Sequence, residues 1–201
     1  LCENLRNPLG IGSTTPRLSW INTSGRNGAV QTAFRIIAAS APGLLDKDSG
    51  DLWDSGKVIS RESVLVPWTG SELGSRSMVY WKVRTWDGNG TPSGWSETAR
   101  FSVGLLRAED WKAEYIGLAP EEGDPDFPQL RKSFNLEEVP SPALLHVNSL
   151  GYHEVFLNGR KIDDSVLTPA VSQMNRRTFI ITYDVTPYLR QGTNTLAIWL
   201  G

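Results

Sequence analysis

Two tryptophans and the cations interleaved with them are the residues of this chain best suited by type and spacing to surface chemistry. Within residues 78–86, a period of two puts Tyr80, Lys82, Arg84 and Trp86 on one face of a strand, and Gly94-Trp95-Ser96 follows one turn later. Aromatic rings stack on guanidinium and ammonium groups, for about 0.5–1 kcal/mol at an exposed site. They stack equally on the apolar faces of pyranose sugars. Cations between the rings would occupy the surface a sugar needs, so a stack of Trp95 on Arg84 or Lys82 is favoured over a sugar platform on Trp86 and Trp95. The paired acids Asp163-Asp164, Glu137-Glu138 and Glu121-Glu122 are sequence neighbours, and neighbours on a strand point to opposite faces. They read as solvated turns and identify no acid–base pair.

Other chemistries fare no better. His146 and His153 lie on different candidate strands without a Cys or His cluster, which favours hydrogen-bonded histidines over zinc ligands. No Gly-x-Ser-x-Gly elbow and no phosphate-cradling glycine motif is present. Cys2 is the single cysteine and cannot form an internal disulfide. The stretch 119–128 combines prolines and carboxylates but lacks the spacing of a calcium loop, so it reads as an acidic loop.

The elements that must position these groups are short strands. Residues 17–21, 33–38, 52–58, 63–67 and 78–86 form apolar segments separated by turns such as Ser24-Gly25-Arg26-Asn27-Gly28 and Asp87-Gly88-Asn89-Gly90. In the last strand Val79, Trp81, Val83 and Thr85 face the core. Residues 105–111 make a helical turn or covering loop, and 114–118 a short strand. Strands resume at 130–134, 143–147, 152–157, 160–162, 178–183 and 195–200. Asn158-Gly159 supplies the two positive φ angles of a type I′ hairpin turn. Thr186-Pro187 opens one helical turn ending at Gly192, with Thr186 as its cap. The chain stops directly after an apolar strand, so a segment of a longer protein is expected.

The 201 residues suit two β modules of about 100 residues each. A net charge of −2 and a pI near 5.7 offer no cationic field for nucleic acid. No apolar run approaches the roughly 20 residues of a membrane-spanning helix, so no membrane insertion is expected.

Strand order and the Trp-Ser near residue 95 make the first half similar to a fibronectin type III domain. Taken in order, Asn7-Pro8-Leu9-Gly10-Ile11, Arg17-Leu18-Ser19-Trp20, Leu52-Trp53-Asp54-Ser55-Gly56-Lys57-Val58, Tyr80 to Asp87, Trp95-Ser96-Glu97, Leu130 to Phe134, the Asn158-Gly159 hairpin and Tyr183-Asp184-Val185-Thr186 resemble the N-terminal region of bacterial α-L-rhamnosidases of glycoside hydrolase family 78. The resemblance implies an all-β fold: a fibronectin type III-like sandwich (1–104), a linker and covering segment (105–129), and a jelly-roll-like β-sandwich (130–201) truncated at its C-terminus. It implies a non-catalytic accessory region, with terminal α-L-rhamnose cleaved by an (α/α)6 catalytic domain of the same polypeptide. Inversion there needs two carboxyl groups about 6.5–9.5 Å apart, for which this chain has no candidate pair. Rhamnose-containing glycans are the implied partners and an extracytoplasmic address the implied location.

Two other functions stand beside it. In some family members the second β domain resembles a calcium-dependent rhamnose-binding module. Asp163, Asp164 and Asn175 flank the corresponding segment here and have the oxygen donors a hard cation takes, although Pro169-Ala170 departs from the family's Pro-Gly. No cofactor is required in the leading reading; calcium belongs to this alternative. A protein-binding tandem of sandwiches is the third reading.

Overall fold

The computed structural model describes residues 1–117 and 127–201. It divides into two compact units, Leu1–Trp111 and Lys112–Gly201. Most of the acidic loop read at 119–128, including Glu121 and Glu122, lies outside the described residues.

In the first unit the strands are β1 (Arg17–Leu18), β2 (Ala33–Ala39), β3 (Trp53–Asp54), β4 (Val58–Ile59), β5 (Val66–Pro67), β6 (Met78–Trp86) and β7 (Ala99–Ser102). β1 pairs with β5, while β3, β2, β6 and β7 run in that order in a second antiparallel sheet, with β4 also on β2. Alternation in β6 holds from Val79 to Val83 and lapses at Thr85, which is half-buried and lies outside the core. Val79, Trp81 and Val83 are buried, joined by Leu18, Phe34, Ile36, Trp53, Trp68 and Phe101 in one core. Trp68 meets Trp53 at 5.0 Å and Phe101 edge-on at 5.9 Å.

β2 does not alternate: Ile37 and Ala39 are as fully buried as Ile36 and Ala38. Their face is covered by a helical turn, α1 (Pro42–Leu45), whose Leu45 packs on them with Tyr80 and Trp95 alongside. This cover has no periodic signal, since four residues are too few to show one. Gly50 then closes the return to β3. A Cβ there would stand 2.5 Å from the Ala38 carbonyl oxygen, so only glycine fits.

The second unit contains β8 (Gln129–Leu136), β9 (Leu144–Asn148), β10 (His153–Leu157), β11 (Arg160–Lys161), β12 (Ile180–Asp184) and β13 (Gly192–Leu200). One sheet has the order β11-β10-β13-β8, and β12 pairs with β9. Val147, Val155, Leu157, Ile162 and Val185 form the core between them. The hairpin from β10 to β11 turns at Asn158 and Gly159, with φ of 53° and 79°. These are the signs a type I′ turn requires.

Two local expectations are corrected. Of the strand expected at 114–118, residue 118 lies outside the described residues, and residues 114–117 form no strand, are exposed and pair with no strand among the described residues. The helical turn after β12 is a 3-10 turn, Thr186–Tyr188, and Thr186 is its first residue rather than its cap. Its hydroxyl instead accepts the Ala143 N–H at 2.9 Å, a long-range bond that outcompetes local capping.

Candidate functional site

Among the described residues, three clusters of polar or aromatic side chains could do chemistry, two in the first unit and one in the second. On the outer face of β6, Trp95 receives Arg84 at 4.5 Å, Lys82 at 5.0 Å and Arg35 at 5.8 Å from its ring centroid. Carboxylates tie two of these cations down. Arg35 makes a two-pronged pair with Asp54 at 2.8 and 2.6 Å, and Lys82 donates to Asp48 at 2.7 Å and to the Leu45 carbonyl at 2.6 Å. Hydrogen bonding from Lys82, with Trp95 beside it, holds the Asp48 carboxyl below its usual range. Trp95 is therefore occupied by protein cations. Trp86 is similarly engaged by Lys57 at 4.7 Å.

The second cluster is a cleft of about 440 Å³ at one end of the same unit, between loop 22–31 and the turn that follows β6. Asp87 organises that turn by accepting the N–H groups of Asn89 and Thr91, both at 2.9 Å. Thr91 first, then Asn89, keeps its carboxyl below the usual range.

In the second unit His153 is 5% exposed and Ser149 8% exposed. His153 Nδ1 lies 2.7 Å from Ser149 Oγ, and its Nε2 lies 2.9 Å from Tyr183 OH. Ser149 uses its only proton to donate to the Gly151 carbonyl at 2.7 Å. Its oxygen must then accept from Nδ1–H, which leaves Nε2 to accept from the tyrosine. Both ring nitrogens are occupied in the neutral form, so this histidine is a structural bridge. Burial lowers its pKa, opposed by Asp163, and burial with Asp163 pushes the Tyr183 phenol up to about 12.

The bridge predicts a pH dependence. A histidine whose folded pKa lies below the unfolded value of about 6.5 contributes stability that is complete above that pH and is lost as pH falls through the folded value. The carboxylates held low, among them Glu3, Asp48, Asp54 and Asp87, belong to the first unit and act below about pH 4. Protection factors of the β10 and β13 amides, which remove the pH dependence of intrinsic exchange, should therefore fall as pH drops below about 6.5 in the native protein, and this slope should flatten in His153→Gln. An unchanged slope in that variant would refute the assignment.

Of the residues expected to bind calcium and sugar, Asp163 is half-buried near the His153 bridge, while Asp164 and Asn175 are exposed on the connection from β11 to β12. Among the described residues no group of three or more His, Cys, Asp or Glu side chains comes together. The sequence singled out Trp86 and Trp95 but missed the cleft, whose two rims are distant in sequence.

Comparison with known proteins gives these units their kin. Residues 1–107 match the Rha78A-like N-terminal immunoglobulin domain, and residues 138–201 the α-L-rhamnosidase N-terminal domain. An α-L-rhamnosidase of Formosa agariphila is 37% identical over 98% of this chain, which spans 22% of that relative's length. The structure of α-L-rhamnosidase from Dictyoglumus thermophilum superposes with a TM-score of 0.90 at 32% identity, covering all of this chain and 24% of that one. That of native α-L-rhamnosidase from Aspergillus terreus does so at 0.87 and 30%, covering all of this chain and 23% of the other. With the immunoglobulin-domain match extending over more than half its residues, the chain belongs to the N-terminal β region of the α-L-rhamnosidases, an Rha78A-like immunoglobulin domain followed by an α-L-rhamnosidase N-terminal domain.

Proposed function

We propose that this region is the accessory part of an α-L-rhamnosidase, packing on and bracing a catalytic domain of the same polypeptide that hydrolyses terminal α-L-rhamnose. In finer detail, the first unit is a fibronectin type III-like sandwich and the second a jelly-roll-like one, and the enzyme works on glycans outside the cytoplasm. The observation supporting the docking role is the apolar surface of the second unit. Val166, Leu167 and Val171 on the connection from β11 to β12 are 77%, 69% and 74% exposed, and Met174, Phe179 and Ile180 are also exposed. Single exposed apolar residues are ordinary, whereas a concentration in one segment marks a surface that another body covers.

Leu167 adds to this, because it holds a positive φ of 54° while exposed. Such strain in a residue other than glycine persists where its surroundings impose it and tends to gather at functional surfaces. Hydrogen exchange tests the reading by comparing the isolated chain with the polypeptide that carries both this region and a catalytic domain. Amides 164–181 are expected to be protected in the longer polypeptide alone. Val166→Asp with Val171→Asp is expected to abolish that protection and lower the activity of the longer protein toward an aryl rhamnoside. Equal exchange in the two proteins would end the docking proposal. The isolated chain is expected to leave the aryl rhamnoside unhydrolysed.

A further inference from the structure

The cleft at the end of the first unit has the composition and support of a binding site. Its volume of about 440 Å³ falls within the roughly 300–1,000 Å³ of small-molecule sites. Hydroxyls and amides recur along the lining, with Asn22, Asn27 and Asn89 supplying groups that both donate and accept. Val30, Pro92 and Trp86 provide its apolar share. Arg26 and Asp87 are its two charged residues, so the site as a whole is close to neutral.

The rims are held from beneath by two consecutive residues. Gln31, buried at 9% exposure, accepts from Trp20 Nε1 at 2.9 Å and Asn22 Nδ2 at 3.0 Å, and donates to the Ser60 and Glu62 carbonyls at 3.1 and 2.8 Å. All of its polar capacity is used in fixing loop 22–31. Thr32 fixes the other rim: its N–H donates to the Trp86 carbonyl at 2.8 Å and its hydroxyl to the Asp87 carbonyl at 2.7 Å. The groups facing the cleft are freer. Arg26 lies 4.0 Å from Asp87 Oδ2, beyond hydrogen-bond distance. The side chains of Asn27 and Asn89 make no hydrogen bond among the described residues.

A hydrogen-bonded floor under exposed planar donors and acceptors that have no protein partner among the described residues suits a ligand rich in hydroxyls. An anion would need more than one guanidinium beside a carboxylate, and an apolar ligand would leave the amides unpaired. We propose that this cleft is a binding site for a neutral sugar chain, separate from any site on the second unit. The inference rests on the rhamnosidase reading only for the choice of probe.

The test is an NMR titration of the 201-residue chain with a rhamnose-containing tetrasaccharide. Amides of residues 22–31 and 86–93 are expected to shift, with millimolar or tighter affinity. Asn27→Ala combined with Asn89→Ala should weaken binding by about tenfold or more, equivalent to about 1.4 kcal/mol. Both positions are exposed, so this variant should unfold at the unaltered chain's temperature. Asp163→Ala with Asp164→Ala should leave the affinity unchanged. Absence of shifts at millimolar sugar, shifts confined to residues 163–175, or equal affinity in the asparagine variant would each overturn the proposal. Failure of the docking reading would appear as unprotected amides in the second unit and would leave this titration as it is.

Discussion

Phe101→Ala is expected to lower the unfolding free energy of the first unit by about 3–5 kcal/mol, the usual loss for a buried phenylalanine. The ring is 0% exposed and contacts Trp68 edge-on at 5.9 Å, and its strand position is opposite Val79, also 0% exposed. Deletion removes its transfer free energy and leaves a cavity between Trp68 and β6 that rigid indoles cannot collapse to fill. Against a typical domain stability of about 5–15 kcal/mol, that loss is large. Denaturant unfolding followed by hydrogen exchange assigns it: amides of β2, β6 and β7 should lose protection, those of β10 and β13 should not. A loss below about 1 kcal/mol would mean that the aromatic cluster repacks.

Legibility followed the range of the interactions. The hairpin at Asn158-Gly159 and the buried face of β6 were readable because each depends on adjacent residues and a period of two. The stack on Trp95 was readable as well: its cations alternate along β6 and the indole follows one turn later. The contribution of Arg35, from another strand, was not visible. α1 escaped because one helical turn has no periodicity, and Thr186 was misplaced because a distant amide claimed its hydroxyl. The cleft needed the pairing of Ala33 with Trp86, which brings the loop before β2 beside the turn after β6. Both loops read as turns, and sequence had no means of placing them together.

The same long-range logic makes Asn194 the most consequential polar residue of the second unit. It is 0% exposed at the start of β13, and its amide is fully used. Its Nδ2 donates to the Arg190 and Gly192 carbonyls at 2.7 and 3.0 Å, while its Oδ1 accepts the Arg190 N–H at 3.0 Å and Asn158 Nδ2 at 2.8 Å. Asn158 passes the connection on, donating to the Tyr188 carbonyl and accepting the Thr195 N–H, each at 2.9 Å. One buried amide thus joins the turn before β13 to the hairpin between β10 and β11.

Asn194→Ala should cost about 3 kcal/mol, since each buried group left unpaired carries a penalty of about 1–3 kcal/mol and these penalties are not additive. Asn194→Asp separates hydrogen bonding from packing. It preserves volume, but an ionised carboxylate would face the Arg190 and Gly192 carbonyls with no proton to donate. Burial and those carbonyls should raise the new carboxyl's pKa above its unfolded value of about 3.9. The ionised form is then the destabilised one, so the aspartate variant should regain stability relative to Asn194→Ala as pH falls toward 4. Denaturant unfolding of both variants from pH 7 to 4 measures this. If Asn194→Asp were as stable as the native chain at pH 7, the amide donors would not be what secures this turn.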